Sequence, residues 1–442
     1  MLLWQALSGS LSAHLAAVCL LLKHVPNEPD SSSTGSHAHT RNVLMTCHGI
    51  SGERLRDQAS TVVVTIDDIQ RLGEANLDGP TRSYIANGVQ QQRTLRENRE
   101  AFTRLRFRPQ ALVDVSKVNT ATTILGRRIS LPIGFAPSAA HMMAHPDGEF
   151  GTAQAARDAG TVMILSAMST ASLEDIRARV PDGFLWQQTY IFRNRSLTES
   201  LVRRAAAQNF GAIVVTVDSP VTGQDMGLQN TMFRLPEGLR FANLEASSPG
   251  RSFTFDPTSA DFVGSLLSPA ATWEDIRWLR RISGLPIVVK GVLTAESAFK
   301  ALEYGAAAVL VSNHGGRQLD GDPATIDALP EVVAAVGDRM EVYLDSGVRS
   351  GADAAKALSL GARAVFVGRP AIWGLAYNGK RGVDRVLDIF RSDLTRTIQL
   401  LGCPDSNDLG SSYVVREGCY SQQLGNAWKP RDPLVEWIET QA

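Results

Sequence analysis

Eight short runs of β-branched and aliphatic residues recur between residues 132 and 368. They are Pro132–Ala136, Val162–Ser166, Leu185–Tyr190, Ala212–Val217, Pro286–Lys290, Ala307–Ser312, Val342–Asp345 and Ala364–Gly368. Most are apolar at consecutive positions rather than at alternate ones, the pattern of a strand covered on both faces. Between them, apolar residues fall at three- and four-residue spacing, as in Glu149–Ala159, Leu173–Val180, Leu197–Gln208, Trp273–Ile282, Ala295–Tyr304 and Gly351–Leu360. That spacing predicts amphipathic helices. Eight β-α alternations over this length predict an α/β fold, a (β/α)8 TIM barrel. A doubly wound sheet has the same local periods. The strand count, and the polar residues that end nearly every run, favour the barrel.

The flanks follow other patterns. Residues 1–22 carry no Asp, Glu, Lys or Arg, and Leu11–Leu22 is mostly apolar. This stretch reads as a signal-peptide core, a weak membrane anchor or an extension that packs against nothing. The segment Pro26–Asn42 has the composition of a disordered linker. The stretch Gln224–Ala271 exceeds an ordinary βα loop and is rich in Ser, Pro, Gly and Phe, as lids and disordered segments are. The segment Gly382–Leu401 predicts a final helix.

Composition narrows the function. The 442 residues are 44% hydrophobic and 20% charged, enough for one large core, with a net charge of -1 that leaves no basic excess for a nucleic-acid partner. The four cysteines, Cys19, Cys47, Cys403 and Cys419, form no C-x-x-C pair and suggest no disulfide framework. A reducing, cytoplasmic setting is favoured, with secretion or membrane association left open by Leu11–Leu22. The C-terminal residues Thr440-Gln441-Ala442 are not a peroxisomal tripeptide. Cys47-His48, with His37 and His39, lacks the spacing of a zinc site, so no metal is expected.

The chemistry concentrates at the end of the sixth run, in Ser312-Asn313-His314-Gly315-Gly316-Arg317-Gln318. A base, a fixed cation and two glycines stand together where ligands bind in parallel α/β folds. This heptapeptide resembles the active-site signature of the FMN-dependent α-hydroxy acid dehydrogenases and oxidases, the family of glycolate oxidase, lactate oxidase and the flavin domain of flavocytochrome b2. Tyr84-Ile85-Ala86-Asn87-Gly88 and Thr94–Phe102 match that family's segments before the barrel. The resemblance covers about residues 61–405. It implies an N-terminal extension and linker over 1–60, a helical preface over 61–115, an FMN-binding barrel over 116–402 and a tail over 403–442. No His-Pro-Gly-Gly haem motif is present, so the haem domain of some members is not expected.

The resemblance also implies roles. Gly347, Arg349, Gly368 and Arg369 would hold the FMN phosphate and Asp345 a ribityl hydroxyl, in the loops after strands seven and eight where barrels commonly bind phosphate. Lys290 would face N1 and O2 of the ring. Ser166, Gln188 and Thr216 would bond its pyrimidine side, and the backbone of Ala136-Pro137-Ser138-Ala139 would pass N5, with Ser312 also among the cofactor residues. His314 would be the base, in a hydride or a carbanion route, with Asp218 pairing its imidazolium. Tyr190 would bond the substrate oxygen, and Arg317 and Tyr84 would grip the substrate carboxylate. The long loop would cover the substrate. O2 or an electron carrier would take the electrons, and a homo-oligomer is expected.

Two positions depart from the family. Asp225 stands where a second Arg aligns, and Met168 replaces the Trp of glycolate oxidases. An acid at a carboxylate subsite inverts the local charge. The main reading is therefore oxidation of a 2-hydroxy acid or a derivative to the 2-oxo compound. The alternative is a specialised biosynthetic flavin enzyme acting on another carbinol or amine carbon. A flavin-binding protein without catalysis is a third reading.

Overall fold

The computed structural model describes residues 62–224, 235–248, 250 and 262–418. The segments Leu11–Leu22 and Pro26–Asn42, the Cys47-His48 cluster, Asp225, residues 226–234, 249 and 251–261 of the long loop and the chain beyond residue 418 lie outside the described residues.

Eight parallel strands close into a barrel: β1 (Ile133–Phe135), β2 (Val162–Leu165), β3 (Phe184–Thr189), β4 (Ile213–Thr216), β5 (Ile287–Val292), β6 (Ala308–Val311), β7 (Glu341–Leu344) and β8 (Ala364–Val367). Each pairs with its neighbours in sequence, and β8 pairs with β1 to close the ring. Several residues expected at strand ends, Ser166, Ser312, Asp345 and Gly368 among them, lie just past the last residue of their strands.

Strand period two explains the interior. The lumen holds Phe184, Trp186, Val162, Ile164, Val214, Val288, Leu310, Tyr343 and Phe366. The Trp186 ring lies 5.8 Å from Phe184 and Phe366 and 5.7 Å from Tyr343. A hairpin, Thr122–Ile124 paired with Arg127–Ile129, adds Ile124 and Ile129 to the same cluster. Glu341, at the start of β7, accepts from Leu125 N–H at 3.1 Å and from the Tyr343 hydroxyl at 2.5 Å. The lumen is therefore a packed core with its N-terminal end covered. Ala136, Ser166, Gln188, Thr216, Lys290, Ser312, Asp345 and Gly368 each follow a lumen position by two residues. They form the next layer up, and in this layer side chains turn polar while staying buried.

Three preface helices precede the barrel: α1 (Ile66–Ala75), α2 (Gly79–Ala86) and α3 (Arg93–Thr103). Thr65 caps α1 through a reciprocal pair with Asp68, a capping box. The α1 backbone presses on the final helix, where a Cβ on Gly73 would lie 2.5 Å from the Trp373 carbonyl oxygen. The strand Leu105–Phe107 pairs with Val414–Arg416 from the chain's far end.

The final helical region runs from Arg369 to Leu400, with Asn378 and Gly379 non-helical inside it, so the helix expected over Gly382–Leu401 is present and a further helical stretch precedes it. Those two turn-forming residues break the apolar period and conceal that earlier stretch. The helix between β6 and β7, Thr325–Val336, carries Pro330 in its interior, which reads as a helix breaker in sequence. Within the long loop, Ala242–Ser247 and Phe262–Leu266 are helical.

Trp186→Ala empties the middle of the lumen, where the side chain is fully buried. It is expected to lower stability by about 3–5 kcal/mol, read as a fall in denaturation midpoint at unchanged slope.

Candidate active site

The loop after β6 is built from left-handed residues. His314 has φ +58°, followed by Gly315 at +67° and Gly316 at +75°. A histidine there carries about 1–3 kcal/mol of backbone strain. The turn sets its ring toward the end of β4. His314 Nδ1 lies 2.8 Å from Asp218 Oδ1, and the His314 N–H donates to Ser312 Oγ at 3.1 Å. The Ser219 hydroxyl donates to the same Asp218 oxygen at 3.1 Å, and Gln318 in turn donates to Ser219 Oγ.

Asp218 is an ionised acceptor. Burial alone would raise its pKa, but the charges of Lys290 and His314, with the hydrogen bonds from His314 and Ser219, outweigh it and hold the carboxyl at about 2. An ionised Asp218 accepts a hydrogen bond from Nδ1–H, the tautomer that leaves the lone pair on Nε2. Nε2 is therefore positioned as a base. The close approach depends on Gly291, at φ +108°, where a Cβ would meet the Asp218 Cβ at 2.7 Å. Gly291 lies between Lys290 and Val292, where the β5–β6 register shifts.

Lys290 is buried between two carboxylates, its Nζ 3.8 Å from both Asp218 Oδ2 and Asp345 Oδ2. Those distances give attraction without a hydrogen bond. The ammonium hydrogens thus remain available to a ligand above the layer. Gln188, beside it, accepts from the Ala167 N–H at 2.9 Å and donates to Thr216 Oγ1 at 3.0 Å. Ser166 Oγ accepts from the Met168 N–H at 3.0 Å.

The expected phosphate residues have two distinct surroundings. Gly347, at φ +86°, lies so near Asn98 that a Cβ would sit 1.9 Å from its carbonyl oxygen. The Arg349 guanidinium lies 5.0 Å over the Trp373 ring, and its buried Nε has no partner. Burial and then the neighbouring Arg99 push its pKa down to about 10 against the pull of Asp67 and Asp353, so an anion at its free Nε would meet a poorly solvated cation. Arg369 instead donates from Nε to Ile85 O, from Nη1 to Gly315 O and from Nη2 to Asn87 O, each at 2.9 Å. Gly368 lies against Ala136 and Ser138, its ideal Cβ 3.2 Å from Ser138 Oγ.

Arg317 shares the Asn87 carbonyl, with Nη1 3.0 Å from Asn87 O and 2.7 Å from Tyr84 O, and its guanidinium lies 5.0 Å from the Tyr84 ring. Two arginines therefore meet the C-terminal end of α2, where cations are favoured. On the same loop as Arg317, Asp320 accepts the Gln91 and Thr94 N–H groups at the start of α3, at 3.0 and 2.9 Å. The N-cap residue of α3, Gln92, makes no side-chain cap of its own. Tyr190 lies near Asp218, Tyr84 and Arg317, and burial first, then the Asp218 charge, push its phenol well above the ordinary value. It remains a hydrogen-bond donor.

Sequence reading named His314, Asp218, Lys290, Asp345, Tyr190, Tyr84 and Arg317, and the fold brings these together. It missed Gly291, Ser219, Gln318 and Asp320. It also missed the buried amide pair Asn98–Asn313, bonded both ways at 2.9 and 2.7 Å. Asn98 lies at helical spacing with Thr94 and Phe102, so a polar residue on a buried face was the available signal.

A family model described as FMN-dependent dehydrogenase matches residues 73–416. The chain belongs to the FMN-dependent dehydrogenase family. It is 43% identical to an L-lactate oxidase of Nostoc sp., over 79% of this chain and 98% of that protein. It is also 43% identical to human 2-hydroxyacid oxidase 1, over 80% of this chain and 96% of that protein. A solved soluble mutant of the membrane-associated (S)-mandelate dehydrogenase of Pseudomonas putida is similar to it at a TM-score of 0.75 and 34% identity, over 80% of this chain and all of that one. The cofactor of the family is FMN, and the residues present suit it. The Lys290 ammonium and the Arg349 Nε are buried donors open to a ligand.

Asp218→Asn removes a charge that the fold holds below its ordinary value of 3.8, at about 2. A depressed carboxyl stabilises the fold above its ordinary pKa and loses that contribution as pH falls through the folded one. Thermal melts are expected to show the Asp218→Asn variant less stable at neutral pH, with the gap to the parent closing between about pH 4 and pH 2. A gap independent of pH would contradict the ionised assignment.

Proposed function

We propose that this protein oxidises the C2 carbinol of an (S)-2-hydroxy acid to the 2-oxo acid, with His314 as the base. The single observation that carries the assignment of roles is the 2.8 Å contact between His314 Nδ1 and an ionised Asp218. The family and the names of its relatives support the substrate class.

Bound FMN supplies the two-electron acceptor. Lys290, Gln188, Thr216 and Ser166 would hold its ring from below, Asp345 the ribityl chain, and Gly347, Arg349, Gly368 and Arg369 the phosphate. The backbone of Ala136–Ala139 would line one edge of the ring, with Ser312 beside it. His314 Nε2 takes one proton from the substrate, from the hydroxyl in a hydride route or from C2 in a carbanion route. The imidazolium so formed rests against Asp218, whose charge stabilises it. Tyr190 donates to the substrate oxygen. Arg317 meets the carboxylate with the guanidinium nitrogens that α2 does not occupy, and Tyr84 lies against it. O2 or a carrier then removes the electrons, and the protein works as a homo-oligomer.

The second reading rests on Asp225. By the resemblance Asp225 aligns with a family Arg, and an acid at that position would favour a substrate whose acid group is masked, or which carries a cation. Met168 gives room for a side chain larger than that of glycolate.

His314→Gln is expected to bind FMN and stay yellow, yet to lose at least about 10²-fold in the rate of anaerobic flavin reduction by substrate. The unmutated enzyme, screened in the same assay against 2-hydroxy acids of graded size and their amides, should be reduced by an acid. Reduction by amides alone would favour the second reading.

A further inference from the structure

The mechanism above leaves one buried charge unused. Glu149 has no exposed surface, lies in the first turn of the helix Gly148–Asp158, and forms no ion pair among the described residues. Its carboxylate collects donors from two different loops. Oε1 accepts the His141 N–H at 3.0 Å and the Thr170 N–H at 2.8 Å, and Oε2 accepts the Thr170 hydroxyl at 2.6 Å. His141 belongs to the loop after β1 and Thr170 to the loop after β2. Two further bonds lace the same loops, from Met142 N–H to Thr170 Oγ1 at 3.3 Å and from Ala140 N–H to Met168 O at 3.0 Å.

The β1 loop needs such a brace. Ala140 is a non-glycine residue at φ +51° that starts the turn His141–Met143 and offers no side-chain cap. Glu149 supplies the missing acceptor for the turn's first N–H. His141 is itself buried, with Nδ1 3.0 Å from Thr152 Oγ1. Burial lowers its pKa against the pull of Glu149 and of the Ser138 carbonyl, so it is neutral and does not cancel the carboxylate. A buried carboxylate is retained at a cost unless its hydrogen bonds do something an apolar side chain could not.

We propose that Glu149, acting with Thr170, is a positioning residue that fixes the Ala136–Ala140 backbone against the flavin ring and sets its distance from Met168 on the substrate side. This rests on the flavin placement proposed above. The groups that grip the substrate carboxylate, Arg317 and Tyr84, lie on other segments. Loosening the brace should therefore disturb the reacting edge more than substrate affinity.

Glu149→Gln keeps the shape but turns an amide N–H₂ toward donors. Thr170→Val removes one donor and the acceptor of Met142. In the FMN-loaded enzyme each is expected to shift the visible absorption or the midpoint potential of bound flavin, read without substrate. Each should also lower kcat by about ten- to a hundred-fold at near-constant KM, with Glu149→Gln the larger effect. Glu149→Gln with a lower Tm but unchanged spectrum, potential and kcat would overturn the proposal. If Glu149→Gln does not fold, Thr170→Val decides in the same way. The spectrum and potential remain decisive even if no 2-hydroxy acid is turned over, which separates this failure from failure of the substrate assignment.

Discussion

One ammonium group, Lys290 Nζ, is held out of water between Asp218 and Asp345, and the site is arranged around that burial. Taking three charges from solvent costs several kcal/mol per ion unless each is met by opposite charge and by hydrogen bonds. The two carboxylates meet the lysine, and the fold then satisfies the carboxylates. Asp218 accepts from His314 and Ser219, and Asp345 accepts the Ser346 hydroxyl at 2.7 Å. Asp218 Oδ2, which faces Lys290, has no hydrogen bond at all. With one ammonium to two carboxylates the layer is not neutral, and its hydrogen bonds are incomplete at Lys290 Nζ and Asp218 Oδ2, which leaves a polar floor open to a ligand.

The same charge logic joins the preface to the barrel. The α2–α3 junction exposes carbonyls at the end of one helix and N–H groups at the start of the next. The β6 loop answers both, with Arg317 on the carbonyls and Asp320 on the N–H groups. Arg369 adds three further donors from the start of the last helix. His314 lies within this braced loop, so its strained φ is held by contacts outside the loop. The preface is therefore part of the site's rigidity, and Asn98–Asn313 fastens it a second time.

The barrel was legible because its strands carry uninterrupted apolar runs, and because period two then assigns each polar residue at a strand's end to the layer above the lumen. The heptapeptide at 312–318 singled out His314 and Arg317, which the fold brings near Asp218 and Tyr84 respectively. Less visible was anything that depends on close approach or on a distant partner. Gly291 looks like a weak point in a strand until Asp218 is seen beside it. Asp320 reads as a solvated loop acid, since the helix it caps is more than 220 residues away in sequence. Arg369 looked like a phosphate ligand only, whereas three of its donors serve the protein's own carbonyls. The helix over Gly382–Leu401 was legible, whereas the helical stretch that starts at Arg369 was concealed by the break at Asn378-Gly379.

The central claim is that this polar layer is the floor on which FMN lies, with His314 facing the substrate above it. The most direct measurement is a crystal structure of the FMN complex. The account predicts the pyrimidine edge of the ring within hydrogen-bond distance of Lys290 Nζ, about 2.7–3.2 Å. It also predicts the phosphate against Arg349 or Arg369, and His314 Nε2 open toward the ring's reactive edge. A flavin seated away from residues 188, 216 and 290, or a His314 ring turned from it, would contradict the account.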